Sequence, residues 1–455
     1  MPGPSDKARA NLESSIPQLQ ELARKEIFTP PEIKSITRKR SDYEHTINAR
    51  GHTASDYASY ATYEQNLASL IAKRCKRLNV KLTSSGSKEA SRRVFWILER
   101  GVRKFQGDLG LWMQLLQFAR REKARKKVKK LVTQVLRLHP AKSALWVWAA
   151  KAVLEDEGDM SAARGYLQRG LRFCKRDVGL WVEYGRLECI YIAKIAARRR
   201  ILGLEGRKEK ERKDEGEDML ALPEVTGEDI NPTLGKDDAV DEVALKNLEN
   251  TPALTGAIPM AIFDAAMKEF DTEGEVGEMF FDMVAEFERG ATFERILQHI
   301  VDKMVETRPD DVHTITCQFL LPISGVPVTS EAFPEALTTS LGVIRAAMKG
   351  LPLAKKEIAS SAIARLLSVA ASKELDDDIS TALNASIRSY VKAVGNAGDI
   401  VPIVETLQDK KEDRAAKMLL EIAVKVLPGD VKLNALTAAT VQRQKEVKEV
   451  VMASA

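Results

Sequence analysis

The chain has 455 residues, of which 44% are hydrophobic, 30% charged and only 6% aromatic. This is the balance of a folded, soluble protein, too long for one compact core, so it reads as several domains or one extended repeat array. Ala, Leu, Lys, Arg and Glu abound while long alternating β-branched runs are absent, which favours an all-α chain over a sheet protein. No run of roughly 18 apolar residues exists to span a membrane, and the opening MPGPSDKARANLESS lacks the apolar core of a signal peptide. The net charge of +5 hides an asymmetry: residues 1–200 carry 41 Lys+Arg against 20 Asp+Glu, and the remaining 255 carry 29 against 45. The first stretch should attract phosphate or acidic protein and the second repel it.

From the N-terminus, residues 1–54 read as a helical cap. Thr29-Pro30-Pro31-Glu32 has the form of a capping box with proline at the first helical position. It predicts a helix through Ile33, Ile36, Tyr43 and Ile47, packed on the first of the units that follow.

From 55 to 203 one grammar recurs. Trp112-x-x-Leu115-x-x-Phe118, Trp146-x-x-Ala149-x-x-Ala152 and Trp181-x-x-Tyr184-x-x-Leu187 place their anchors on one helix face, and the tryptophans lie 34 and 35 residues apart. Tyr57-x-x-Tyr60-x-x-Tyr63 precedes them in the same grammar, and Phe281-x-x-Val284-x-x-Phe287 follows. Between these A helices lie amphipathic B helices at 91–105, 124–140 and 161–175. Asp108, Asp159 and Asp177 are placed to cap helices, and Pro140 ends one. A unit of this length with two helices is a helical hairpin; one hairpin cannot bury its apolar face alone, so neighbours stack into a curved superhelix, an α-solenoid.

The A helix near Gly179 runs on past Ile195, and residues 204–257 then form a charged insertion, read as mobile, with no sustained apolar period. Residues 258–270 read as the B partner of the interrupted hairpin. Degenerate helical repeats fill 258–455, with helices at 278–288, 293–309, 335–350, 356–372 and 413–428 and a last one from 431.

Catalytic motifs are missing: no phosphate-binding P-loop, no GxGxxG after a strand, no HExxH and no nucleophile elbow. His45, His52, His139, His299 and His313 are too dispersed for a metal site, and His139 sits at a helix C-terminus, where it suits the dipole. The chain therefore reads as a non-enzyme without cofactor or small-molecule substrate. Cys75, Cys174, Cys189 and Cys317 have no CxxC spacing and read as reduced and buried. Trp112, Trp146 and Trp181 could stack on bases, but rings in repeat register read as core. Trp148, off register, is the better candidate for exposure.

The run RREKARKKVKK (120–130) holds eight basic residues in eleven. Arg120, Arg121, Lys126, Lys127, Lys129 and Lys130, with Arg198, Arg199 and Arg200 further on, are candidate contacts for RNA phosphates or an acidic partner, the alternative being a solvated face or an import signal. Lys73, Arg74, Lys76 and Arg77 pose the same choice. Contact made by charge alone specifies no base sequence.

Two resemblances narrow the class. Leu180-Trp181-Val182-Glu183-Tyr184-Gly185-Arg186-Leu187-Glu188, with Arg169-Gly170-Leu171 closing the preceding B helix, resembles the half-a-TPR (HAT) repeat, which implies TPR-like hairpins and an RNA-processing assembly. The N-terminal stretch is more specific: EIFTPPEI followed by ITRKRSDYEHTI and DYASYATYE, within 12–67, resembles the U3 small nucleolar RNA-associated protein 6 family, and the likeness runs on through RRVFWILERGVRKFQGDLGLW (92–112). The departures are the alanines in the second tryptophan repeat and a loop at 79–88 that lengthens the first. The resemblance implies a subunit of the UTP-B subcomplex of the nucleolar small-subunit processome, partnered by WD-repeat propeller proteins and by the U3 and pre-ribosomal RNA particle. Its role would be structural, in pre-18S processing and early 40S assembly. The alternative is a HAT scaffold of messenger-RNA 3′-end processing or splicing, and a third class is a stand-alone RNA-binding protein.

Overall fold

The computed structural model describes residues 4–13, 15–201, 255–372, 374–409 and 412–427, together with 433, 436 and 437. Every regular element among the described residues is an α-helix, and contacts divide the chain into two units, meeting between Tyr166 and Leu167.

The first unit opens with α1 (Pro4–Glu13), α2 (Ile16–Arg24) and α3 (Pro30–Asn48). Helix α3 starts as the sequence predicts: the Thr29 backbone N–H donates to Glu32 Oε2 at 2.8 Å, with Pro30 and Pro31 in the first turn. The cap packs on α4 (Ala54–Arg77) through Leu22, Ile27, Phe28, Ile36, Leu67 and Ile71, residues spaced to put one apolar stripe on each helix. Helix α4 pairs with α5 (Ser84–Lys104), and α6 (Leu109–Arg121) with α7 (Arg125–Leu138); α8 (Ser143–Glu157) follows against α7. All three aspartates cap as expected, Asp108 Oδ1 accepting from Leu111 N–H at 2.9 Å, Asp159 Oδ1 from Ala162 N–H at 2.9 Å and Asp177 Oδ1 from Leu180 N–H at 3.3 Å. One expectation needs correction. The loop at 79–88 shrinks to residues 78–83, because α5 begins at Ser84.

The unit boundary falls inside α9 (Met160–Phe173). The second unit continues with α10 (Val178–Ile201), α11 (Ala257–Glu269), α12 (Gly274–Ala285), α13 (Ala291–Thr307), α14 (Val312–Ile323), α15 (Phe333–Gly350), α16 (Lys355–Ala370), α17 (Asp377–Val394), α18 (Ala397–Asp409) and α19 (Asp413–Val426). These pair as hairpins, α10 with α11 and so on to α18 with α19, and each A helix also packs on the next: α10 on α12, α12 on α14, α14 on α16. Helix α11 is the B partner that the sequence assigned to α10: Ile262, Phe263, Ala266 and Met267 share a core with Val182, Cys189 and Ile192. An ion-pair ladder runs along the A helices, where Arg365 of α16 binds Glu278 and Asp282 of α12 and His313 of α14 binds Glu278. Most of the insertion at 204–257, namely residues up to 254, lies outside the described residues, as does most of the last sequence-assigned helix from 431.

Helix α14, VHTITCQFLLPI, is one that the sequence does not announce. Its β-branched residues and Pro322 argue locally against helix, yet Ile315, Cys317, Phe319 and Ile323 are buried between its neighbours. Burial outweighs propensity here, and the proline, one residue from the end, costs little more than one backbone bond.

Candidate partner-binding surface

The repeat anchors form the interior. Tyr57, Tyr60, Phe118, Leu187 and Phe281 are buried, as are Trp112 (3% exposed) and Trp146 (5%); Tyr63, Trp181, Tyr184 and Phe287 are half-buried. Each repeat tryptophan also spends its polar atom in the same way, donating Nε1–H to the carbonyl six residues back: Trp112 to Gln106 at 3.0 Å, Trp146 to Pro140 at 2.9 Å and Trp181 to Lys175 at 2.8 Å. The indole thereby stitches the turn before its helix to the helix itself, and a buried N–H left unmet would cost free energy. Trp112 and Trp146 are too buried to offer a face for base stacking, while Trp181 is half-buried. Trp148 is half-buried as well, and Trp96 on α5 is the more exposed ring at 39%, with the Arg100 guanidinium 4.8 Å from its centroid.

The basic run divides between the end of α6 and two faces of α7, which charge counting could not reveal. On one face of α7, Lys129 pairs with Glu157 at 2.7 Å, while Arg120 of α6 grips Asp156 at 2.8 Å and Glu155 beside it. The consecutive acids ending α8 thus neutralise some of the run internally. Arg121 donates to Gln65 at 2.8 Å, and Lys127 pairs with Glu99 at 2.7 Å over the Phe95 ring.

On the other face, Lys126 and Lys130 turn into a cleft of about 760 Å³ between α5 and α7, floored by α6. Arg103, Lys127 and Arg137 line it too, with Gln106, Gln134 and the exposed Leu138, while Glu99 is its one carboxylate. Glu99 already holds Lys127, and Arg103 at 3.6 Å. Lys126, Lys130 and Arg137 have no ion-pair partner among the described residues. The rim is fixed by the Gln106 carbonyl, which accepts from both Trp112 and His139 Nε2 at 2.9 Å; because a carbonyl only accepts, His139 carries its proton on Nε2. Sequence reasoning missed Arg103 and Arg137. The available signal was the spacing of Lys126, Lys130, Gln134 and Arg137, which keeps one face of α7.

The remaining cations scatter. Arg198 and Arg200 stand exposed on α10, Arg200 at 3.6 Å from the equally exposed Glu288, and the side chain of Arg199 lies outside the described residues. Arg74 is structural: it binds Glu32 at 2.9 and 2.7 Å, covers the Phe28 ring at 4.4 Å, and holds the Glu32 carboxyl down to about 2, with the Thr29 N–H assisting. Cys189 and Cys317 are buried, while Cys75 and Cys174 are only half-buried, contrary to expectation; all four are free thiols. No group of His, Cys, Asp and Glu among the described residues has the arrangement of a metal site, and no described helix is long and apolar enough to cross a membrane.

Residues 12–96, the cap with α4 and most of α5, match the family described as U3 small nucleolar RNA-associated protein 6. The N-terminal region of the chain is thus similar to that family, over the residues matched. Relatives bearing that name agree. The Schizosaccharomyces pombe protein is 36% identical over 200 residues, which cover 44% of this chain and 41% of the relative. The Homo sapiens homologue is 31% identical over 185 residues, 40% of this chain and 31% of the relative. The Dictyostelium discoideum homologue is 24% identical over 77% of this chain and 58% of its own length. The chain thus spans less than half of the first two relatives. Among solved structures it is similar to the APC/C hetero-tetramer Cut9-Hcn1, with a TM-score of 0.23 at 10% identity over 89% of this chain and 72% of that one. It is similar also to a human IFIT1 dimer with m7Gppp-AAAA, with a TM-score of 0.26 at 11% identity over 97% and 87%. The fold class itself is read from the paired helices: all-α hairpins stacked as a solenoid within each unit.

Proposed function

We infer that this chain is a structural subunit of the nucleolar small-subunit processome. In this reading it serves in the UTP-B subcomplex, where it holds other subunits, WD-repeat propellers among them, near U3 and pre-ribosomal RNA during pre-18S processing and early 40S assembly. The observation that carries the reading is the family match over residues 12–96, the cap and first hairpin. Two features of the molecule support a holding role. The repeat aromatics are consumed in packing, which leaves the exterior of the array for docking. The basic character concentrates in the first 200 residues, where it presents a positive field to phosphate or acidic protein.

The test is purification of the tagged full chain from nucleolar extract at moderate salt, with its RNA probed by hybridisation and its proteins by mass spectrometry. Recovery of U3 RNA together with propeller subunits is the expected result. Recovery of cleavage, polyadenylation or splicing factors without U3 RNA would assign the chain to another HAT scaffold and overturn the reading.

A further inference from the structure

We propose that the cleft between α5 and α7 is a docking site for an acidic, amphipathic peptide segment of a partner protein. The proposal does not depend on which particle the chain joins.

The starting point is α7 itself, whose two faces offer the same chemistry in two conditions. On one face the occupant is visible. The end of α8, Ala152-Val153-Leu154-Glu155-Asp156-Glu157, sets apolar Ala152 and Val153 beside α7 and its three acids against Arg120 and Lys129. On the opposite face Lys126, Lys130 and Arg137 stand in the cleft with no such segment, and α5 supplies only Glu99, already shared between Lys127 and Arg103. Five cations against one carboxylate leave a concentrated positive field in a recess, where low-dielectric walls strengthen it. The cleft is also not purely ionic: Leu138 stands 45% exposed at its edge, beside Val102 and Leu131 deeper in, and Gln106 and Gln134 add amide donors and acceptors. Acids for the rim and small apolar side chains for the edge define an occupant like the α8 terminus, and helix-in-groove docking supplies such a pattern.

An RNA strand fits this recess less well. Single-strand recognition relies on bases stacked on open aromatic faces, and the cleft's one aromatic, Trp112, is packed with its N–H bound to Gln106. Phosphate contact alone makes no use of Leu138.

The test measures binding of a fluorescein-labelled synthetic peptide of three Glu-Leu-Glu-Glu-Leu-Leu-Glu heptads to the full chain by anisotropy. Comparison probes are the same peptide with Lys for each Glu, the same with Ser for each Leu, and oligouridine. The acidic amphipathic peptide should bind tightest, and more weakly as salt rises. Reversing the exposed cleft cations (Lys126→Glu, Lys130→Glu and Arg137→Glu together) should weaken it by about tenfold to a hundredfold, from lost pairs and added repulsion. Leu138→Ser should weaken it by about threefold or more. Reversing Lys123→Glu in the turn before α7 and Arg125→Glu at its first residue, both lining the recess toward α8 and not the cleft, should leave affinity within about twofold, and circular dichroism checks that each variant stays helical. Absence of peptide binding, an equal loss in both charge-reversed variants, or an oligouridine complex that the cleft variant abolishes while the peptide fails to bind would each overturn the proposal.

Discussion

Arg40 shows how much the cap invests in one buried charge. Its side chain lies in the cap–repeat interface, 1% exposed, with Nε and Nη2 donating to the two oxygens of Glu64 at 2.7 and 2.8 Å. Glu44, also buried, is met by Asn11 at 3.1 Å and Arg100 at 3.2 Å, and Tyr43 stacks on Tyr60 at 5.0 Å beside them. Desolvation of such a pair is offset by its bidentate geometry, and removing one partner strands the other. Arg40→Met should therefore destabilise the cap by about 3–5 kcal/mol, and the double change Arg40→Met with Glu64→Leu by clearly less, read as amide exchange rates in α2 to α4. The thiols allow a second residue-scale expectation. Burial pushes Cys189 up to about 12 and raises Cys317 as well, so both should resist a thiol reagent until the chain unfolds. Cys75 and Cys174, half-buried, should label in the native protein; labelling of Cys317 at the rate of Cys75 would contradict the packing. Residue by residue, the anchors were legible because a repeat period forces them inward. The cleft was not: Arg103 and Arg137 lie on the B helices of successive hairpins, and only the stacking of those hairpins brings them to one recess.

At the scale of elements, caps and close approaches decide where helices begin and how near they come. The Thr29–Glu32 box and the aspartate caps were legible because their chemistry is local. The box that opens α4, where Thr53 N–H donates to Asp56 at 2.7 Å, was missed because Asp stands in the usual Glu position. Helix α14 was missed because its burial comes from chain segments distant in sequence. Gly101 marks the closest approach in the first repeat. A Cβ there would sit 2.8 Å from Leu111 Cδ2 and 3.0 Å from Tyr57 Cβ. Gly101→Ala gains helix propensity but must push packed helices apart, so a net loss of about 1–2 kcal/mol is expected in denaturant melts. The cap also carries a pH signature. Lys25, followed by the Thr83 N–H, holds Glu21 down to about 2, and Arg74 does the same for Glu32. Because the folded values lie below the unfolded ones, these carboxylates stabilise the fold above about pH 4.5. That contribution fades as pH falls toward about 2. Amides of α2 and α3 should thus open on acidification before those of α12 to α16; simultaneous opening would contradict the assignment.

For the whole molecule, the division of labour is between an interior that closes the repeats and an exterior left for partners. Net charge was legible from the first count, and so was the hairpin architecture, since stacking is the way such short helices exclude water. What composition could not convey is that some of the basic run is spent inside the fold, on the acids ending α8, which makes the free cations fewer and more localised than the count suggests. The family match covers the cap and first hairpin, and the repeats beyond it keep the grammar through the indole-to-carbonyl bond. The claim on which the rest depends is that the repeat indoles are structural and take no part in reading RNA. Acrylamide quenching of tryptophan fluorescence in the full chain tests it directly, with Trp96→Phe removing a ring that stands open to solvent. The expected result is that this variant loses the largest quencher-accessible component and that saturating oligouridine leaves the remaining emission unchanged. Emission from the variant that quenches like free indole, or falls when oligouridine is added, would contradict the account.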